Sequence, residues 1–561
     1  MRYLFLFAII GLCSCQQEKA SEMIIYSTQI NTVDDKNSQV EAIYIKNGIV
    51  RAVGSKKEIA DYERPSVTIL EVGNAFVIPG LIEGHGHFSG LGNMLQNLDF
   101  LQSKSWQDIV AEVKSSTDES EDGAWIYGRG WHQDKWDKAP EYNLGTYPKH
   151  NDLSEISPDN PVILIHASGH SLFANAKAME IAGITKETPD VGGGHIVRDE
   201  NGEAIGVFEE RAMGPIKIAY QEYLAERTDS EIANSWNRSM ELAMHACLSN
   251  GITSFQDAGA KFYELDRYKD MAANDEFKIR LWTMVRHSSD EMEGKLTNYK
   301  TIDAGNGFYT CNAIKTELDG ALGSYGAWLL EPYNDKPNFT GQNTTSTEEV
   351  QAIALLARQH DMQLCVHSIG DRANRETLHI FYNTVRGSEN RRWRIEHAQH
   401  VDPADLDRFL ESGTIASIQA IHCTSDAPFV IDRLGEKRAK EGAYPWRSFI
   451  DHGIPIVNGT DVPVEDINPV ANFYASVTRK RSDTYLEFFP EQAMTRLEAL
   501  RSMTIDAAYA GFQEHQKGSL EVGKYADITI LDNNLLTCSE SQILKTKVLY
   551  TIVNGKVAYS N

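Results

Sequence analysis

The chain has 561 residues, 42% hydrophobic and 24% charged, with 79 acidic against 54 basic residues and a formal net charge of −25 at pH 7. That length is enough for a large core and more than one domain, and no low-complexity tract interrupts it. So acidic a chain argues against nucleic acid or an anionic membrane surface as partner.

The first element is a targeting segment. "MRYLFLFAIIGLCSCQQ" carries one Arg, then an apolar stretch too short to span a bilayer, then small residues. Residues 1–14 read as a secretory signal peptide. The tetrad Leu12-Cys13-Ser14-Cys15 resembles the bacterial lipobox, which makes Cys15 the lipidated N-terminus of an exported lipoprotein held at the cell envelope; a plain cleaved signal is the alternative. Cys247, Cys311, Cys365, Cys423 and Cys538 are scattered, odd in number and without CxxC spacing. They read as free thiols, not a disulfide framework or a thiolate metal site.

Residues 23–74 and 518–559 each place Asn-Gly between alternating apolar residues, in "AIYIKNGIVRAVG" and "YTIVNGKVAYS". This is a strong hairpin signal, and the two ends are expected to build one small β domain. Between them, residues 75–517 alternate strand-like and helix-like segments. The strands are expected at 75–85, 251–259, 278–285, 312–320, 363–368, 393–399, 414–420 and 454–461. Helix starts are marked by Ser346-x-x-Glu349, Thr495-x-x-Glu498 and Asp402-Pro403. Eight strands alternating with helices predict a (β/α)8 TIM barrel, an α/β fold, with a large insertion at 88–250 that includes a helix near 230–249.

His85 and His87 stand two apart in "VIPGLIEGHGHFSG". At a strand end both project from one face toward one spot, which suits a metal ion. His367, His397 and Asp461 end the fifth, sixth and eighth strands, and Lys315 lies in the fourth. Barrel enzymes gather their sites at these strand ends. Neutral imidazoles with a carboxylate suit zinc, manganese or iron, and the lack of thiolates argues against a closed structural site.

This set resembles the amidohydrolase superfamily. The strings "KTELDGALGSYGAW", "HSIGDRAN" and "IEHAQH" are similar to its family 3 branch, which includes the N-substituted formamide deformylases. The resemblance covers nearly the whole mature chain. It implies hydrolysis of a small-molecule substrate at a carbon–nitrogen bond other than a peptide bond, by a water activated on one or two divalent ions, zinc foremost. His85 and His87 would hold the more buried ion and His367 and His397 the more exposed one, with Asp461 as ligand and proton shuttle. It also implies that Lys315 reacts with carbon dioxide to give a bridging carbamate; the alternative is a lysine paired with Glu317 or Asp319 beside one ion. His170 and Asn175 match a motif in the insertion, with Ser168 where many relatives have Asp, and His170 and His422 are the candidate substrate contacts. Asp371-Arg372 reads as an ion pair, and the aromatic string "GRGWHQDKW" as core or pocket wall. Two other readings remain open: hydrolysis of an ester, lactone or phosphoester on the same barrel, and a binding lipoprotein without catalysis.

Overall fold

The computed structural model describes residues 21–561 apart from 101–102, 132, 134–135, 139, 141–142, 145–146, 167–170, 192–193 and 386–389. Cys15 and His170, with the roles expected of them, fall outside the described residues. The chain folds as two compact units. One comprises the residues up to His85 with Cys247–Thr460 and Asn468–Asn561; the other comprises Gly86–Ala246 and Asp461–Ile467. No described helix is long and apolar enough to cross a membrane.

The first unit holds the barrel. Its strands are β1 (Leu81–Gly86), β2 (Ile252–Ala260), β3 (Arg280–Val285), β4 (Tyr309–Glu317), β5 (Gln363–Ser368), β6 (Arg394–His397), β7 (Ile415–Ile418) and β8 (Ile456–Asn458). They pair in chain order from β1 to β8, and the registers from β2 onward are parallel. Helices such as Thr347–Gln359 and Asp371–Val385 follow the strands, as parallel pairing requires. Their starts follow local chemistry: the Ser346 and Thr495 hydroxyls accept from the backbone N–H groups of Glu349 and Glu498, and Asp402 caps a turn opened by Pro403.

Glycine decides how the ends of the sheet meet. A side-chain carbon on Gly84 would lie 2.5 Å from the Asn458 carbonyl oxygen, and one on Gly459 would lie 2.3 Å from the His85 backbone nitrogen. Only bare backbone fits there. The seam is locked by Glu83, whose carboxylate accepts from Thr460 N (2.7 Å), Thr460 Oγ1 (2.9 Å) and His85 N (3.1 Å).

The same unit contains a sheet made from both chain ends. Its order runs Lys556–Ser560, Val548–Val553, Ile528–Leu531, Phe76–Pro79, Glu22–Asn31, Gln39–Lys46, Ile49–Gly54, with Thr68–Glu71 also on Glu22–Asn31. Asn47-Gly48 and Asn554-Gly555 turn the two hairpins, with Asn47 at φ 52° and Gly48 at φ 75°, in the left-handed conformation such turns need. The apolar run at 75–85, expected as one strand, is two: Phe76–Pro79 belongs to this sheet and Leu81–Gly86 to the barrel. Gly80 divides them where a side-chain carbon would fall 2.1 Å from Thr253 Oγ1. Sheet and barrel are pinned together by a buried ion pair, Arg280 Nε to Asp527 at 2.6 Å, and by Thr529 Oγ1 donating to the Gly251 carbonyl at 2.6 Å.

The second unit is more than a loop with a helix. It has a mixed six-stranded sheet ordered Gly194–Arg198, Ala204–Glu210, Ser171–Ala174, Val162–His166, Ile126–Trp131, Leu98–Asp99. One face packs on an aromatic cluster including Trp106, Trp131, Trp136 and Phe173, so both tryptophans of "GRGWHQDKW" are core. Asn175 is structural: its Oδ1 accepts from Ala178 N (2.9 Å) at a helix start and from Val162 N (3.0 Å), while Nδ2 donates to Ser157 and Asn160 carbonyls.

Candidate active site

Along β1, alternate residues Glu83 and His85 share one face, and both are buried. Glu83 fastens the strand. His85 is completely enclosed, with Nδ1 against the Glu396 carboxylate. Burial alone would raise Glu396, but the Arg394 charge and the hydrogen bond from the His85 ring hold it well below the carboxylate range. Glu396 is therefore an anion that fixes His85 with Nδ1–H toward the carboxylate, leaving Nε2 as the donor atom. Arg394 completes the pair at 2.8 Å and donates to Gly84 O (2.8 Å), Ser417 Oγ (2.8 Å) and Gln256 Oε1 (2.6 Å).

Three imidazoles converge within the first unit. The rings of His85 and His397 lie 4.8 Å apart between centroids, and those of His397 and His367 lie 4.4 Å apart. Gln419 Oε1 contacts His397 Nδ1 at 2.7 Å. His397 and Ala398 adopt φ of 77° and 43°, a left-handed conformation costing about 1–2 kcal/mol per residue. Such strain persists where surrounding bonds over-determine it. His422 lies on the helix after β7, its Nδ1 3.2 Å from Gln399 Nε2 and its ring stacked 6.1 Å from that of His397. Lys315 on β4 is buried. Glu317 pairs with Arg286 at 2.7 Å, and Asp319 accepts from the backbone N–H groups of Trp328, Ile369 and Gly370. Complete burial pushes Asp319 up to about 7 against the pull of those donors, and its Oδ1 is 3.6 Å from His367 Nε2.

In the second unit His87 Nε2 lies 3.2 Å from Asp461 Oδ1. Asp461 directly follows Thr460, the residue that Glu83 anchors, and is held at φ 59°. Among the described residues, the side chains that could hold a metal ion are His85 and His397 in the first unit and Asp461 in the second. The donor set, imidazoles with a carboxylate, fits a catalytic divalent ion.

Asp319 entered the sequence reading only as an alternative partner for Lys315, and Glu83, Arg394 and Glu396 had no role in it. Their signal is charge placed at inward positions of strands that are otherwise apolar, as in "LIEGH" and "WRIEH". The expected ion pair of Asp371 with Arg372 does not form: Asp371 Oδ1 accepts from Leu330 N and Arg372 N, while the Arg372 guanidinium stacks 4.3 Å over Trp328. An adjacent pair at a helix start points its side chains apart.

A barrel with such a residue group at its strand ends defines a metal-dependent hydrolase. The chain belongs to the Amidohydrolase family, whose sequence profile matches residues 71–559, and it acts on carbon–nitrogen bonds other than peptide bonds. It is 29% identical over 553 residues to Protein LONG AFTER FAR-RED 3 of Arabidopsis thaliana, covering 96% of this chain and 92% of that one. It is 27% identical to the N-substituted formamide deformylase of Arthrobacter pascens, covering 96% and 98%. Among solved structures, an uncharacterized metal-dependent hydrolase from Pyrococcus furiosus superposes with a TM-score of 0.73 at 25% identity, covering 92% of this chain and 100% of that one.

Proposed function

We propose that this amidohydrolase binds one or two divalent ions, zinc foremost, through His85, His87, Lys315, His367, His397 and Asp461, and hydrolyses a small amide, formamide or cyclic amide. The observation that carries the reading is the convergence of the His85, His367 and His397 rings at 4.4 and 4.8 Å, with Glu396 fixing the donor atom of His85. A bound ion of this kind polarises a carbonyl and makes hydroxide available near neutral pH. Asp461 takes the proton of the attacking water and returns it to the leaving nitrogen. An ammonium has no lone pair for a metal, so Lys315 would help hold an ion as its carbamate, in effect a carboxylate; the burial of Lys315 and the other engagements of Glu317 and Asp319 favour this over a simple salt bridge. His170 and His422 contact the substrate, and the printed name of the Arthrobacter relative makes formamides the first class to try. Cys15 is the lipid-bearing N-terminus that tethers the enzyme in the cell envelope.

The test is metal analysis of protein prepared with zinc and bicarbonate, then a screen across formamides, amides, cyclic amides and esters. About two ions per chain and turnover confined to the carbon–nitrogen substrates are expected. Asp461→Asn should keep the fold and lose on the order of 10²–10⁴-fold in turnover. Full activity in metal-free protein, or wild-type turnover in Asp461→Asn, overturns the proposal.

A further inference from the structure

The second unit contains a cavity of about 600 Å³ that the metal ligands do not account for. That volume suits a small-molecule ligand. Its wall includes Arg129, Lys217 and Arg227 and, among the described residues, no acidic one, in a chain where acidic residues outnumber basic ones by 79 to 54. Neither Arg129 nor Lys217 has an ion-pair partner among the described residues. Arg227 donates Nε to the Leu224 carbonyl at 3.2 Å, and its charge also lowers Glu231.

One side of this cavity is flat and aromatic. The rings of Tyr127 and Tyr220 stack at 5.4 Å with 20° between planes, and both line it. Burial raises both phenols, Tyr220 to about 12, so both stay protonated and able to donate. The other side lies beside the chain segments that carry His87 and Asp461. Gly90 and Pro463 line the cavity, and a side-chain carbon on Gly90 would sit 3.2 Å from His87 Cβ and 3.4 Å from Pro463 Cδ. Gly90 is three residues past His87, and Pro463 two past Asp461.

We infer that this cavity receives the end of the substrate remote from the scissile bond, and that this end carries an anionic group, a carboxylate in the simplest case, beside a flat apolar or aromatic body. The inference rests on the amide-hydrolase reading above and narrows its substrate class. Arg129 supplies a planar, two-pronged donor suited to a carboxylate. Lys217, exposed on the helix Gly214–Ala225, adds a mobile charge at the mouth, and the tyrosine pair offers a surface for a ring.

A matched pair of compounds tests this: N-formyl-phenylalanine and N-formyl-phenylalaninol, alike except for carboxylate against hydroxymethyl. The carboxylate compound should be preferred about tenfold or more in kcat/KM, mostly through KM. Its KM should rise with ionic strength while that of the alcohol stays level. Arg129→Met should erase the preference. Lys217→Met, at an exposed position that does not threaten the fold, should reduce the preference and its salt dependence. Direct binding of both compounds by calorimetry separates this inference from the reading beneath it. Preferential binding of the carboxylate compound without turnover of either supports the anion-binding cavity and counts against formamide hydrolysis. Equal binding and equal turnover of the two, or variants that leave the preference intact, overturn the inference.

Discussion

Replacing Glu396 with Gln keeps its shape and removes its charge at the most enclosed point of the site. Glu396, Arg394 and His85 are all fully buried. At the observed 2.8 Å, the Arg394–Glu396 attraction is about 6 kcal/mol gross at an effective dielectric near 20. Stripping one partner from such a pair costs about 3–5 kcal/mol net, because the other charge stays buried. Glu396→Gln should thus lose about 3 kcal/mol, toward the low end because Gln still accepts from Arg394. It should also weaken metal binding by about 10–100-fold, since His85 loses the anion that fixes its tautomer. Arg394→Gln is the control. It breaks the same ion pair but leaves the carboxylate against His85, so it should destabilise similarly with little change in metal affinity. Urea unfolding and chelator competition measure the two quantities independently. Equal metal affinities in the two variants would refute the reasoning.

Lys517 supplies a pH prediction away from the metal ligands. Burial depresses it from 10.5 to about 7, so below pH 7 both folded and unfolded chains carry its proton and the buried ammonium penalises the fold. Between pH 7 and 10.5 the unfolded chain binds more protons, so stability rises with pH. The stability of wild type relative to Lys517→Met should increase by about 3 kcal/mol between pH 7 and 9.5 in urea titrations; a constant difference would contradict the assignment. Cys15→Ala should move the protein from the membrane to the soluble fraction, because acyl chains contribute about 0.8 kcal/mol per buried methylene. Unchanged membrane association on fractionation removes the lipid anchor.

The barrel was legible because parallel strands buried on both faces read as short apolar runs, and because the helices between them announce their starts. The candidate metal-binding histidines stood out for a related reason: His85, His367 and His397 fall at the ends of apolar runs. The sheet of the second unit was not legible. Its pairings include a two-residue strand, Leu98–Asp99, and strands separated by irregular connections, so no period of two or 3.6 persists long enough to register. The Glu83 seam and the Arg394–Glu396–His85 chain were missed because each joins residues hundreds of positions apart. A charged residue inside a strand looks locally like a solvent-facing one. The division of 75–85 escaped for the opposite reason: pattern alone cannot tell one long apolar strand from two that change sheets at a glycine.

The sheet shared by the two chain ends sets an order on biosynthesis. Phe76–Pro79, the strand that runs directly into β1 and its His85, is flanked by Ile528–Leu531, a segment synthesised more than four hundred residues later. Until that segment arrives, the base of β1 has an open edge on that side, and closing it requires a contact spanning more than four hundred residues. Topologies of this kind form slowly because the loop entropy is spent before the contacts reward it. A chain that stops short of Ile528 keeps every one of the candidate ligands yet lacks the strand that braces the first of them. Arrival of Ile528–Leu531, rather than of the candidate ligands, is the event that braces β1.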